Sequence, residues 1–529
     1  MNTRNRRGRY GGPTPSHGPY GLGTAQGRLS GQDAHRDHGE AAGVSRRSRN
    51  AHPLTDHAAN ERLARFERLV RGRFDAVVPT LKAIGTLAPT DDLAERAASM
   101  ARAELGVALP AELFESAWIT GLDMRRLYAV TMAETIHAVA AETHAFAGTE
   151  SDTMTGFLLE CGFHAVDISP CSDGRLKGVI RSILRLPDDA VRSRKAYAGA
   201  MFDVEANVRR WIETELLRFR EGSPVPPSAG TRYLKIAVYH WSRSDPDYEG
   251  CAAHGSDQRA AAAAALSRLR ELREAVENSF FCGASIDLLL IGVDTDTDAI
   301  RVHVPDALGD MDLDRYVDNL DLYRQTIDDD VTTARMRVHR AIEAASADHP
   351  GGPPHEGMRR LIATLLINNL SQIDYVRSTW GERYPDVGHA EAFISVGDGF
   401  EEFQVRNLAY FVFLQTVEEA ATDLDVGIGL FQRRPERRGL PIPIAIHFRY
   451  DRRVPGSRER AIERCVRVRS AIRARYRDLC AAGLLACDMS IQERTFSSPI
   501  EVIEAPSDGP ANEDPLRLEQ RTGREGGRR

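Results

Sequence analysis

The residues best suited to chemistry lie in one short stretch, DISPCSDGR, from Asp167 to Arg175. It carries a thiol at Cys171, a carboxylate at Asp173 and a guanidinium at Arg175. In an extended turn, residues two apart point the same way, so these three would face one small cavity. Further along stand His240, Cys251 and His254, all of metal-ligating type. Two thiolates and one imidazole with a free fourth position describe a catalytic zinc site, whereas a structural site closes with four protein ligands. Cys171, His240 and Cys251 make the open set; adding His254 would close it and end hydrolytic chemistry. The open set is preferred, because a carboxylate and an arginine beside a structural metal would have no task. Beside a catalytic metal, Asp173 accepts the hydrogen of the attacking nucleophile and Arg175 holds it in place.

The elements that must position these residues are legible in the flanking pattern. The apolar run FHAVDI before Pro170 reads as a buried strand. Leu176, Val179, Ile180, Ile183 and Leu184 then recur at helical spacing. Cys171, Asp173 and Arg175 therefore fall between strand end and helix start, where open α/β sheets bind ligands. Backbone N–H groups and a helix dipole there draw a thiol towards thiolate. The run TRYLKIAVYHW predicts a second strand with His240 at its C-terminal end, and the following loop carries Cys251 and His254. Ser256 then caps a helix whose apolar face is Leu266, Leu269, Leu272, Val276 and Phe280, stopped by Gly283. SIDLLLIGV, apolar on both faces, reads as a central parallel strand. The segment DTDTDAIRVHV from Asp294 looks like a calcium loop but lacks the sixth-position Gly, and Pro305 takes the place of the twelfth-position acid. It is read as a strand-end turn whose carboxylates are solvated or cap nearby N–H groups.

With 529 residues the chain has room for two to four domains. A net charge of −7 makes no case for a nucleic-acid binder. No stretch is apolar for the length of a membrane span, and MNTRNRRGRYGG lacks the apolar core of a secretory signal. Seven scattered cysteines argue against a disulfide framework and for a reducing, cytoplasmic origin. Residues 1–52 are basic, punctuated by Tyr and nearly free of aliphatic side chains, so they are expected to be a disordered binding tail. Residues 53–150 read as an α-helical domain. Its expected signals are caps at Thr55 and at Thr90 with Asp91 and Asp92, a helix start at Pro110, and a helix from Asp123 to Phe146. His137 and His144 in it read as satisfied or surface histidines. Residues 151–387 form the expected zinc-binding α/β domain, with a helical insertion from 306; residues 506–529 form a second disordered tail.

Residues 388–505 read as a second copy of the α/β domain. GFHAVDISPCSDGR from Gly162 aligns without gaps with GHAEAFISVGDGFE from Gly388, and LKIAVYH aligns with IPIAIHF. The helix positions match Ile462, Cys465, Val468, Ile472 and Tyr476, and SIDLLLI pairs with ACDMSI. In the copy Gly397 stands for Cys171, Gly399 for Asp173 and Glu401 for Arg175, and the loop with the second thiol has shrunk to RYDRRVPGSR. The copy therefore cannot bind the same metal and is expected to serve as a packing partner.

Four strings, CGFHAVDISPCSDGRL, YHWSRSDPDYEGCAAHGSD, CGASIDLLLIGVDTDTDAIRVHVP and GHAEAFISVGDGFEE, carry a family resemblance that covers nearly everything after His52. The chain resembles the shell carbonic anhydrases of α-type carboxysomes, a diverged branch of the β class. The resemblance implies an α/β fold: an N-terminal α-helical domain followed by two β-carbonic-anhydrase-like sheet domains, the second degenerate. It implies one zinc ion per chain on Cys171, His240 and Cys251, Asp173 as proton acceptor paired with Arg175, and an active-site histidine at His389. One departure from the wider β class is the run of ten residues between His240 and Cys251, where that class has H-x-x-C; the carboxysomal branch shares it. The implied function is interconversion of bicarbonate and carbon dioxide inside the carboxysome, in its lumen or on the inner shell face, supplying carbon dioxide to Rubisco. The tail would engage Rubisco or shell proteins, and a homo-oligomer is expected. The competing functions are a zinc-stabilised adaptor and another zinc hydrolase.

Overall fold

Asp56 caps the first helix, its carboxylate accepting the Ala59 N–H at 2.9 Å, one residue beyond the expected Thr55. The computed structural model describes residues 51–504, except 116–120, 144–151, 187–190, 192, 221–231, 280–284, 348, 386–387, 399, 401–404, 413–420, 435–437 and 494–498. Both expected disordered tails lie outside the described residues, apart from the last two positions of the first. One of these, His52, is buried, with its ring bonded to the Thr326 hydroxyl at 2.9 Å.

The helices α1 (His57–Gly85), α2 (Leu93–Leu105) and α3 (Met124–Thr143) form the N-terminal region. Phe66, Val70, Phe74, Val77, Leu81 and Ile84 recur every three or four residues along α1, and all are buried. They pack with Ala101 and Leu105 of α2 and with Tyr128, Met132 and Ile136 of α3. The same core takes in Phe393 and Ala445 from the C-terminal part of the chain. His137 is paired with Asp488, its Nε2 2.8 Å from a carboxylate oxygen; His144 lies outside the described residues. Pro110 precedes only a single short turn, Ala111–Leu113.

After α4 (Asp152–Glu160) come the strands β1 (Phe163–Pro170), β2 (Ser193–Arg194), β3 (Arg232–Trp241), β4 (Ser285–Asp294), β5 (Ile300–His303) and β6 (Tyr316–Asp318). They form a six-stranded sheet in the order β2-β1-β3-β4-β5-β6. The first four are mutually parallel, and β5 and β6 are antiparallel. In the centre, Ile236 of β3 stands opposite Ile168 on one side and Leu289 on the other. A strand covered on both faces must be apolar on both, and Leu234, Ile236, Ala237, Val238 and Tyr239 are all buried. The exception, Lys235, is fully buried and donates to Asp167 at 3.0 Å, Ser169 at 2.7 Å and Asn207 at 2.9 Å.

The apolar positions after Pro170 are buried as their spacing requires, but the backbone does not form an α-helix there. A 3-10 turn, Gly174–Leu176, leads into a π-helical turn, Val179–Ile183. π-turns widen the spiral and occur often beside functional sites. The segment after Cys171 therefore supplies no α-helix dipole, contrary to the sequence expectation. The helix α5 (Val204–Arg220) precedes β3, and α6 (Gln258–Ser279) joins β3 to β4. The α6 cap is Asp257, which accepts the Ala260 N–H at 2.9 Å, in place of the expected Ser256. Leu266, Leu269, Leu272 and Val276 face the core as expected; Phe280 and Gly283 lie outside the described residues. The insertion forms α7 (Asn319–Thr326), α8 (Val331–Ser346) and α9 (Glu356–Trp380), whose Leu361, Ile362 and Leu365 join the core of the first sheet.

The turn after β4 takes the second of the two expected forms: Asp294 is buried and caps a neighbouring N–H instead of being solvated. Its carboxylate accepts from the Thr297 hydroxyl at 2.8 Å, Arg243 Nε at 3.0 Å and the Asp296 N–H at 3.2 Å. Burial, then the charge of Asp296, pushes its pKa up to about 6.

The strands β7 (Phe393–Gly397), β8 (Ala409–Val412), β9 (Ile442–Tyr450), β10 (Leu485–Glu493) and β11 (Glu501–Val502) form a second sheet in the order β8-β7-β9-β10-β11. Its first three pairings are parallel and the last is antiparallel. This is the strand order and sense of β2-β1-β3-β4-β5. The register agrees too: Ile394 stands opposite Ile444 as Ile168 stands opposite Ile236. Cys487 faces Ile444 where Leu289 faces Ile236, so β10 is displaced from the sequence pairing of SIDLLLI with ACDMSI. In the helix Ser457–Arg475 the matched Cys465, Val468 and Ile472 are buried, while Ile462 and Tyr476 are half-buried.

Candidate metal centre

Cys171 is the first residue past β1, and its N–H continues the ladder to the Val238 carbonyl at 3.0 Å. His240 is the penultimate residue of β3, opposite Val293. Because β1 and β3 are parallel neighbours, both side chains emerge at the same C-terminal sheet edge. Cys251 arrives from the β3–α6 loop, where its carbonyl accepts the His254 and Ser256 N–H groups at 3.0 Å each. All three residues are buried, and their ligand atoms lie within 4.8 Å of one another.

The donors fit a tetrahedral thiophilic cation such as zinc. The two sulfur atoms are 3.8 Å apart, far beyond a disulfide bond. Two sulfurs each ~2.3 Å from a tetrahedral centre stand about 3.8 Å apart. His240 is fully buried and neither ring nitrogen has a hydrogen-bond partner. A buried imidazole left in that state costs free energy unless something else takes its lone pair. The thiols are not equivalent. The hydrogen bond to Cys251, followed by burial, pushes the Cys171 thiol well up. The Cys171 contact and the N–H groups of Ala253 and His254 pull Cys251 down. Cys171 therefore holds its proton more tightly than Cys251 does, the opposite direction from that expected of a helix dipole. Its sulfur also accepts the Gly199 N–H at 3.3 Å.

His254 does not join this group. Its Nε2 lies 3.5 Å from the Gly199 carbonyl, and the ring is half-buried. Gly199 has φ of +64°, and a Cβ there would come within 2.5 Å of that nitrogen. Glycine at this position seats the histidine ring against the backbone.

Asp173 and Arg175 form a two-pronged ion pair, with Nε to Oδ1 at 3.0 Å and Nη2 to Oδ2 at 2.8 Å. The Arg175 N–H also donates to Asp173 Oδ1 at 2.9 Å. Arg175 Nη1 is anchored on the Glu249 carbonyl at 2.7 Å. Burial opposes the ionised form of Asp173, but Arg175, then His389 and His240, outweigh it and hold the carboxyl well below its usual range. Asp173 Oδ2 stands 3.4 Å from His240 Nε2, so the ionised carboxylate borders the imidazole.

His389 is brought to the same spot from the segment that leads into β7. Its Nε2 is 3.6 Å from Asp173 Oδ2 and its Nδ1 is 3.0 Å from Glu391 Oε1. Burial lowers its pKa, but the charges of Asp173 and Glu391 reverse this and the net direction is up. The sequence reading missed Glu391, a fully buried carboxylate that also accepts the Gly174 N–H at 3.1 Å. The available signal was Gly174 between Asp173 and Arg175: a Cβ there would lie 2.4 Å from Glu391 Cγ, so this glycine marks a close approach of another segment. Two further bonds tie the pieces together, from the Asn407 N–H to the Gly174 carbonyl at 2.7 Å and from Asn407 Nδ2 to the Gly388 carbonyl at 3.0 Å.

This arrangement brings together three donors that could hold a metal, a fixed carboxylate and an imidazole set between two carboxylates. Comparison with known proteins agrees with that chemistry. Three family models match in sequence: the N-terminal part of carboxysome shell carbonic anhydrase over residues 52–144, its catalytic domain over 153–389 and its C-terminal part over 390–507. The chain is 51% identical over 461 residues to the carboxysome shell carbonic anhydrase of Halothiobacillus neapolitanus, covering 85% of this chain and 90% of that protein. It is 47% identical over 485 residues to the protein of the same name from Parasynechococcus marenigrum, covering 88% and 83% respectively. The chain belongs to the carboxysome shell carbonic anhydrase family.

Proposed function

We propose that Cys171, His240 and Cys251 hold one zinc ion and that Asp173, Arg175 and His389 complete the catalytic machinery around it. The chain is a carbonic anhydrase of the carboxysome shell, interconverting carbon dioxide and bicarbonate. The observation that carries the zinc reading is the buried, unpartnered His240 imidazole beside two thiols 3.8 Å apart. Bound zinc would bring the ionisation of a water molecule to about pH 7. Asp173 stays ionised beside that place and accepts a hydrogen bond, and its double contact with Arg175 prevents the carboxylate from rotating away. His389, half-buried with Nε2 3.6 Å from Asp173, carries the released proton onward, because histidine titrates near neutral pH. Metal analysis joined to a carbon dioxide hydration assay on the purified chain tests this. One zinc per chain with hydration activity is expected; zinc without hydration would favour an adaptor instead.

The two sheets are proposed to be copies of one ancestral unit, the first catalytic and the second degenerate. Their common strand order and the matched Ile168/Ile236 and Ile394/Ile444 registers support this. Inside the carboxysome the useful direction is from bicarbonate to carbon dioxide, delivered to Rubisco. The basic N-terminal tail is proposed to bind Rubisco or a shell protein through several weak Arg and Tyr contacts. Because His52 is buried, a deletion should stop at residue 50. Such a truncation should keep zinc and hydration rate but lose co-sedimentation with Rubisco or packaging; packaging at the full-length level would move targeting to the folded part.

A further inference from the structure

We propose that Glu391 is the positioning residue of the proton path: it fixes the His389 ring with Nδ1–H towards its own carboxylate and the Nε2 lone pair towards Asp173. The inference rests on the reading of His389 as proton carrier. Among the described residues, the groups facing this ring are Asp173 and Arg175 from the catalytic turn and Glu391 from its own segment. An ionised carboxylate is acceptor-only, so the 3.0 Å contact to Glu391 Oε1 requires the hydrogen on Nδ1. That leaves Nε2 free to take a proton on its Asp173 side. When Nε2 takes a proton the ring becomes an imidazolium. The Nδ1–H stays on Nδ1, Glu391 stays ionised, and the same proton leaves from Nε2 to a solvent base. No tautomer exchange is needed in the cycle.

The carboxylate is itself held. Glu391 is fully buried, and the Oε1 atom facing the ring also accepts the Gly174 N–H at 3.1 Å. Gly174 separates Asp173 from Arg175, so one backbone group links the ion pair beside the metal seat to the orienter of the histidine. The missing Cβ of Gly174 is the space that Glu391 occupies. Asp173, His389 and Glu391 also come close enough together to suggest a second cation. The bonding argues against it: both Asp173 oxygens are engaged by Arg175, and each ring nitrogen faces a different carboxylate.

The test uses the zinc-loaded full chain carrying Glu391→Gln. The glutamine oxygen can still accept from both Gly174 and Nδ1–H, so the ties remain and only the charge is lost. Carbon dioxide hydration is followed by stopped flow at low buffer concentration across pH. Proton release follows bicarbonate departure, so the loss should appear in kcat, roughly 10-fold, with kcat/KM within about twofold. The inflection in kcat should move to lower pH, and added imidazole should restore kcat by bypassing His389. Glu391→Asp, which keeps the charge, should keep the inflection and lose less; it serves if the Gln variant does not fold. Equal losses in kcat and kcat/KM with an unmoved pH profile would reduce Glu391 to a structural tie and overturn the proposal. So would two zinc ions per wild-type chain falling to one in Glu391→Gln. If His389→Ala keeps wild-type kcat, the proton-carrier reading itself fails. If His389→Ala loses kcat while Glu391→Gln does not, only the role given to Glu391 fails.

Discussion

The ends of β1 and β7 occupy the same place in two sheets of the same strand order, yet among the described residues only the first carries a Cys and His pair that could hold a metal. Past Pro170, opposite Val238, the chain places Cys171; past Val396, opposite Ile446, it places Gly397. Across the ladder, His240 on β3 corresponds to Phe448 on β9. One step further, Asp294 opposite Trp241 corresponds to Gln492 opposite Arg449. Cys171, His240 and Asp294 of the first edge have the apolar or neutral counterparts Gly397, Phe448 and Gln492 in the second. The scaffold thus does not make the site, since strand order and register are shared. The site is made by a few residues at the strand ends, by the long β3–α6 loop that brings Cys251, and by Glu391 and Asn407 reaching over from beside the second sheet. The second unit supplies no metal ligand, but it helps close the catalytic turn of the first.

The sharpest test of this contrast is to remove a ligand. Cys171→Ser should lose zinc and activity together, by more than ~10³-fold, because no other group here generates the nucleophile at neutral pH. His254→Ala should keep both, since its ring rests against Gly199 and not among the donors. Zinc analysis and hydration rates decide it: loss of zinc in His254→Ala with retention in Cys251→Ala would redraw the ligand set. Asp173→Asn comes next. Zinc should remain and turnover should fall by about 10²-fold, the scale of a lost proton-handling group. Stability should fall as well, by about 3–5 kcal/mol if the buried guanidinium is left without its counter-charge. Wild-type turnover per remaining zinc would make Asp173 a support and not a participant.

Making the first edge resemble the second at Asp294 should have a smaller, pH-dependent effect. The folded chain holds this proton up to about pH 6, whereas the unfolded chain releases it near pH ~4. Between those values the folded state binds more protons, so this group's contribution to stability falls as pH rises and stays lost above pH 6. A shift of that size amounts to roughly 3 kcal/mol. Asp294→Asn removes the slope but weakens the bond from Arg243. Relative to wild type, the variant should therefore gain ~2–3 kcal/mol between pH 4 and pH 7. Urea unfolding of both proteins at the two pH values measures this, and a pH-independent difference would show that Asp294 is not protonated in the folded state below pH 6.

The strands and the grouping of Cys171, His240 and Cys251 were legible in the sequence because their signals are local. FHAVDI and LKIAVYH announce buried strands by composition, and a Cys and a His at parallel strand ends must share a sheet edge. The turn after Cys171 was misread because apolar spacing reports which side faces the core, not how tightly the backbone winds; Val179 to Ile183 satisfy that spacing as a π-turn. The caps at Asp56 and Asp257 lie one residue from the expected Thr55 and Ser256, since adjacent cap-forming residues compete and packing chooses between them. For Asp294 the sequence left solvation and capping of nearby N–H groups open; it caps the Asp296 N–H, and what decided its burial is Arg243, which lies 51 positions away. Glu391 was missed for the same reason. Its partners are His389 and a backbone N–H 217 positions earlier, and no local pattern connects them.

The smallest expected effect is the most telling for the comparison. If the two edges differ only in the identity of these residues, placing the first edge's ligands on the second should create binding. Gly397→Cys with Phe448→His would place a thiol and an imidazole at the positions of Cys171 and His240. The backbone argues against recovery. Gly397 has φ of +101°, and a Cβ there would sit 2.4 Å from the His447 carbonyl oxygen. The strand end has therefore settled into a conformation that admits no side chain, and a forced one costs on the order of 1–3 kcal/mol. No counterpart of Cys251 exists either, because the loop after β9 has shrunk to RYDRRVPGSR. The double variant should keep one zinc per chain and wild-type hydration, with a modestly lower melting temperature as its only change. A second zinc in that variant would show that ligand identity alone separates the two edges, and that the backbone at Gly397 does not prevent binding.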